Sequence, residues 1–202
     1  MITKISKTKK ADKINLAPFT GTFLNPEEVI GQLAIRQGDT VADLGCGNGF
    51  FTLPMARAVG EKGKVFAVDV MAVPLEAVKS RAHLNGLNNI TVVRADLERA
   101  NSLKEVIKDG ECQHIFIANA LCQAKKKKTV LGVARRILAP KGQLLIVEWK
   151  KAANKAFDGF GPAVELRFPE GKLKELVTQA GFKFLDLFAA GEFHFGMRFR
   201  KK

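Results

Sequence analysis

The stretch Val41-Ala-Asp-Leu-Gly-Cys-Gly-Asn-Gly-Phe-Phe-Thr52 decides how the rest of the chain is read. It begins as a short apolar run of the kind that forms a buried strand, breaks at Gly45, Gly47 and Gly49, and continues into residues suited to a helix. Alternating glycines at a strand-to-helix turn let backbone approach a ligand closely. A dinucleotide fingerprint would need a glycine where Phe50 stands, and a phosphate loop would need Gly-Lys-Ser/Thr, which does not follow. The turn therefore serves a ligand without being specialised for phosphate, and the helix start behind it favours a carboxylate.

Outward from this turn, apolar runs alternate with helical stretches. Strands are expected at 40–44, 64–68, 90–94, 114–118 and 143–149, with helices at 49–59, 74–85, about 103–108 and 126–138 between them. Upstream, Asn25-Pro-Glu-Glu28 reads as a helix start, with Asn25 as cap and Pro26 in the first turn, running to about Ile35. Such a rhythm predicts a parallel sheet covered on both faces, with ligands at the carboxyl ends of its strands. The ending differs. After a helix at 172–180, strands at 183–188 and 194–200 are joined by a few residues around Gly191, too few for a crossover, so they form an antiparallel hairpin. The expected fold is α/β: a Rossmann-like, doubly wound, seven-stranded sheet, mostly parallel with an antiparallel last strand.

At 202 residues and 47% hydrophobic content, one domain over residues 25–202 is expected, preceded by a basic arm or lid at 1–24 that carries Lys4, Lys7, Lys9, Lys10 and Lys13. No apolar run approaches the roughly 20 residues of a membrane span, and no signal-peptide core follows Met1. Cys46, Cys112 and Cys122 are odd in number and unpaired in spacing, which fits a reducing, cytoplasmic setting. Cys112-x-His114 lacks a second ligand pair, so no metal site is expected. The net charge of +13, concentrated in the arm and in Lys125–Lys128, admits RNA or a ribosomal protein as partner. Without interleaved aromatics it reads more simply as solvated surface.

Two more acids fall where a nucleoside would need them. Asp69 ends the strand VFAVD, twenty residues after Gly49, where a carboxylate accepts hydrogen bonds from both hydroxyls of a ribose. Asp96 and Leu97 follow the next strand, where an adenine could sit. An adenosine joined to an amino acid, S-adenosylmethionine, satisfies the glycine turn and both acids together.

The chain thus resembles the class I S-adenosylmethionine-dependent methyltransferases. VADLGCGNG is similar to that family's first motif, VFAVDV to its second and RADLE to its third; HIFIANALCQ and LAPKGQLLIVEWK resemble its fourth and fifth strands, and the terminal hairpin its reversed last strand. The resemblance covers roughly residues 25–202 and implies methyl transfer by in-line displacement, leaving S-adenosylhomocysteine. It places Asp43, Gly45, Cys46, Gly47, Gly49 and Asn119 at the methionine end, Asp69 and Val70 at the ribose, and Asp96 and Leu97 at the adenine. The family's Asn/Asp-Pro-Pro-aromatic signature of exocyclic-amine and glutamine methylation is missing from Asn119-Ala-Leu-Cys122. With no added recognition domain, a small-molecule acceptor is favoured; RNA, protein or ribosomal substrates and a non-catalytic cofactor-binding subunit are the alternatives. Cys46 and Cys122 keep an arsenite-type reaction in view only distantly.

Topology points to the catalytic candidates. A reversed last strand starts where the parallel strands end, so Phe193 and His194 should border the site, with Glu148, Trp149 and Lys150 leaving the fifth strand beside them. A neutral imidazole at His194 could serve as base or substrate anchor, and Glu148 is its acidic companion candidate. The acceptor pocket is expected from the arm, from Phe157, Phe160 and Arg167 in a lid-like segment, and from the hairpin.

Overall fold

The structure, a computed structural model, describes residues 24–151 and 161–202. Most of the expected N-terminal arm, together with Phe157 and Phe160, lies outside the described residues. Asn25 caps α1 (Pro26–Gly31) as its sequence requires, its side-chain oxygen accepting from Glu27 N at 3.0 Å and Glu28 N at 3.3 Å. α1 is shorter than expected: Gln32 caps it, and Ala34 then turns to φ +51°.

Seven strands follow: β1 (Thr40–Leu44), β2 (Lys64–Asp69), β3 (Ile90–Arg94), β4 (Cys112–Ala118), β5 (Leu138–Trp149), β6 (Phe182–Ala190) and β7 (His194–Lys201). They are interleaved with α2 (Thr52–Val59), α3 (Ala72–Leu84), α4 (Lys127–Ile137) and α5 (Glu170–Gln179). The sheet order is β3-β2-β1-β4-β5-β7-β6; the first five strands are parallel, and β7 is antiparallel to both its neighbours. The order reverses between β1 and β4, which opens a crevice at their carboxyl ends.

Strand alternation divides the core in two. Ala42, Leu44, Ile115, Ile117, Leu144 and Ile146 pack with α4 and α5. Val41, Val65, Phe116, Leu145 and Val147 face α1 and α2 on the other side. Phe51, just before α2, lies with its ring centroid 4.5 Å from that of Phe116, which fixes the helix that follows the glycine turn.

One expected helix is absent: residues 101–106 form successive turns rather than a helix over 103–108. Leu103 and Ile107 are fully buried, and their spacing of four explains the expectation. Lys104 N bonds to Asn101 O and Val106 N to Leu103 O, three residues back, and one α-type bond, Ile107 N to Leu103 O at 2.9 Å, follows without continuing into a helix before the Asp109-Gly110 turn ends the segment. Phe116→Ala should destabilise the fold by about 3–5 kcal/mol, the usual cost of emptying a fully buried phenylalanine site. Urea unfolding monitored by far-UV circular dichroism measures it, and a loss below 1 kcal/mol would contradict the packing described.

Candidate functional site

At the carboxyl ends of β1, β2, β3 and β4 lies a cleft of about 370 Å³. The glycine turn forms one wall, and each glycine has a different reason to be there. A side chain at Gly45 would meet Ala120 Cβ at 2.5 Å, and one at Gly49 would press on Leu53 and Val78 at 3.0 Å; both also hold φ of +81°. Gly47, at φ +51°, has nothing within 4 Å of where its side chain would stand, so bare backbone lines the cleft.

The Asp69 carboxylate joins this turn to the next. Gly47 N donates to Oδ2 at 3.0 Å and Met71 N to Oδ1 at 2.9 Å. Each oxygen keeps a further lone pair for a ligand hydroxyl. Val70, Asp96 and Leu97 line the same cleft, with Asp96 Oδ1 accepting from Glu98 N at 2.9 Å. Glu98, which the sequence reading missed, receives Lys125 N at 3.0 Å and Lys126 N at 2.7 Å and so anchors the entrance of α4 to the cleft floor. Only an acid two residues beyond Asp96 hinted at it. The bonds to Glu98 are made by backbone amides: the Lys125, Lys126 and Lys128 side chains stay exposed, while Lys127 lies over the Phe168 ring.

Asn119 closes the opposite wall in the left-handed region, at φ +55°. Its Nδ2 donates to His194 Nε2 at 3.3 Å, which requires that imidazole nitrogen to be unprotonated. Burial, with Lys150 and Arg167 nearby, pushes His194 down to about 4, so the ring is neutral at ordinary pH. Trp149 lies 4.1 Å from it, ring to ring, and the Arg167 guanidinium stands 5.3 Å over Trp149. Arg167, Trp149, His194 and Asn119 thus form one continuous series ending at the cleft.

Several of the expected residues do not line the cleft: Gly49 lies behind the turn against Leu53 and Val78, and three others lie elsewhere. Asp43 is buried behind the glycine turn and accepts from Thr52 Oγ1 at 2.5 Å. Burial raises it to about 7, against the pull of that bond. Cys46 packs with Ala67, Leu75 and Val78, beside the cleft rather than in it, and burial pushes its thiol up. Glu148, opposite Phe195 in the ladder, falls on the other sheet face from Trp149 and His194. It is fully buried, accepts from Cys122 N at 3.0 Å, and is raised by burial to about 7. The structure does not bring Glu148 together with His194. Among the described residues, no three His, Cys, Asp or Glu side chains gather as a metal site, and no helix is long and apolar enough to cross a membrane.

Asp43 and Glu148 have ordinary values of 3.8 and 4.5 against about 7 when folded. The folded chain therefore binds more protons than the unfolded chain between about pH 4 and 7, and their contribution to stability falls as pH rises through that window. His194, lowered from 6.5 to about 4, acts in the opposite sense over pH 4 to 6.5. Glu148→Gln keeps the bond to Cys122 N while removing one descending contribution. Urea midpoints measured from pH 4.5 to 7.5 should fall less, or rise more, with pH in this variant than in the parent chain; coincident slopes would disprove the assignment.

The geometry fits an adenosyl amino acid: bare glycine backbone, a carboxylate with spare lone pairs at the end of β2, and Asn119 Oδ1, a buried acceptor with no donor among the described residues. Comparison with known proteins agrees. The methyltransferase-domain family matches residues 35–181. Over 131 residues the chain is 32% identical to the ubiquinone/menaquinone biosynthesis C-methyltransferase UbiE of Azotobacter vinelandii, covering 62% of this chain and 50% of that protein. The chain thus spans half the length of that relative. With UbiE of Escherichia fergusonii it shares 26% identity over 181 residues, 76% of this chain and 70% of the relative. The crystal structure of a SAM-dependent methyltransferase from Aquifex aeolicus superposes with a TM-score of 0.79 at 26% identity, covering 89% of this chain and 91% of that one. The chain therefore belongs to the methyltransferase-domain family and is an S-adenosylmethionine-dependent methyltransferase.

Proposed function

We propose that this enzyme methylates a carbon atom of a small-molecule acceptor, and that the acceptor approaches from the His194 side of Asn119. One observation carries the reading: the wall of the cofactor cleft, Asn119, is hydrogen-bonded at 3.3 Å to a buried, neutral imidazole beneath an aromatic ring. The name C-methyltransferase carried by the two UbiE relatives supports carbon as the nucleophile.

S-adenosylmethionine supplies an electrophilic sulfonium methyl. On this reading Asp69 accepts from the ribose hydroxyls while holding Gly47 and Met71 in place. Val70, Asp96 and Leu97 form the nucleoside end of the cleft, and Gly45 and Gly47 allow close approach at the other. Asn119 Oδ1 accepts from the ammonium group. Asp43, Cys46 and Gly49 act from behind: Asp43 holds Thr52 at the start of α2, and the other two seat the turn against α3. Glu148 is a positioning residue, holding Cys122 N and with it the turn that carries Asn119. His194 orients the nucleophile and adds no positive charge beside a sulfonium, which a protonated ring would do. Fixing donor and acceptor in line in a water-poor site then supplies most of the acceleration.

Incubating extract with methyl-labelled cofactor and separating small-molecule, RNA and protein fractions tests the acceptor class. Label should appear in an extractable small molecule; label confined to RNA or protein would overturn the proposal. Asp69→Ala should weaken cofactor binding by about 2–4 kcal/mol in calorimetry, as expected for losing two hydrogen bonds to a charged acceptor. Unchanged affinity would remove Asp69 from the ribose.

For His194→Asn, loss of the orienting contact should lower kcat/KM for the acceptor by about 10²-fold while cofactor affinity holds. Because the imidazole titrates near 4, kcat/KM of the parent enzyme should show no inflection from this group near pH 6.5. Parent-like kinetics in the variant would leave His194 a purely structural residue.

A further inference from the structure

At the edge of the sheet remote from the cleft, where α4 ends and β7 runs out, a hollow of about 490 Å³ is lined by Arg135, Arg136, Lys201, Asp109 and Gly132, among others. Arg136 uses Nη1 alone, donating to Ile107 O at 3.1 Å and Asp109 Oδ1 at 2.5 Å. Its Nε and Nη2, the two donors along the other edge of the guanidinium, are shielded from solvent and have no acceptor among the described residues. What that edge does when supplied is visible elsewhere in the chain: Arg198 turns Nε and Nη2 onto the two carboxylate oxygens of Asp186. A buried guanidinium edge without an acceptor is costly, and such groups are rare in folded proteins.

The charges around the hollow are unbalanced. Three cations face one carboxylate, Asp109, whose side chain is 77% exposed. Lys201 Nζ donates to Leu138 O at 2.5 Å, a neutral carbonyl, and Arg135 has no ion pair among the described residues. The carboxyl end of α4 contributes a partial negative charge of only about half an elementary unit. Burial and the nearby Arg135 lower the Lys201 ammonium below its ordinary range, as expected where positive charge is in surplus. Gly132 leaves α4 without a side chain there: a Cβ would meet nothing within 4 Å.

We propose that this hollow is a second binding site, taking a phosphate-type oxyanion held bidentately by Arg136 with Arg135 and Lys201 supplying further charge. A carboxylate would answer the guanidinium edge alone, whereas a phosphate dianion has oxygens and charge for all three cations. Engagement requires the Arg136 side chain to turn toward the hollow it already lines, giving up its Nη1 bonds to Ile107 O and to the exposed Asp109, the latter the kind of ion pair that contributes little.

Calorimetric titration of the full chain with inorganic phosphate and with pyrophosphate, at constant ionic strength with chloride as control, tests the site. Saturable binding is expected, weakened about 10-fold by Arg136→Lys, which keeps the charge and removes the bidentate edge. Lys201→Gln should weaken it as well and provides the test if the first variant does not fold. S-adenosylmethionine affinity should be unchanged in both, since the cleft lies at the other end of the strands. Vesicles containing phosphatidic acid identify the source: binding to them but not to free phosphate, lost in the same variants, assigns the anion to a lipid headgroup. Absence of saturable binding to all three probes, or variants that bind as the parent does, would overturn the proposal.

Discussion

The site depends on one carboxylate. Asp69 takes an amide from the glycine turn on one oxygen and an amide from the start of α3 on the other, so the ends of β1 and β2 become one rigid unit. A charged acceptor bridging two backbone donors is stronger than a neutral contact. It also uses only part of the carboxylate's capacity, leaving lone pairs toward the cleft. The residue that organises the loops is thereby the residue proposed to bind the ribose, which joins ligand affinity to loop order.

Around this unit the protein buries ionisable groups and keeps them neutral. Asp43, Glu148 and His194 are all nearly inaccessible, and burial moves each toward its uncharged form: the carboxyls upward, the imidazole downward. The hydrogen bonds they make are positional. Asp43 sets Thr52 at the head of α2, Glu148 sets the Cys122 turn, and His194 receives Asn119. On the proposed reading a sulfonium cation enters beside His194, and the neutral ring adds no charge of its own there.

The charge of +13 takes a more local meaning in the folded chain. In the 125–128 run, the Lys125 and Lys126 amides are held by Glu98, and Lys127 covers Phe168. Arg198 is paired with Asp186. A second group of cations, Arg135, Arg136 and Lys201, shares one exposed carboxylate about a hollow at the far end of the strands, away from the lysine run that stands out in the sequence.

The sequence by itself determined the strand order's raw material and the cofactor. Apolar runs of five to seven residues, glycine at 45, 47 and 49, and acids at the ends of β2 and β3 are local signals, and local signals survive without knowledge of the partners. The reversed β7 was equally legible, because a link of a few residues cannot cross over. Side-chain direction was not. Residues 148 and 149 are neighbours in the chain, yet period-two alternation sends them to opposite faces, and only the register with Phe195 and His194 decides which faces the cleft. The contact between Asn119 and His194 spans 75 positions, and the orphaned edge of Arg136 depends on where Ile107 and Asp109 come to rest. The expected helix over 103–108 failed for the same reason: a spacing of four marked Leu103 and Ile107 as buried, but tight turns satisfy that burial as well as a helix does.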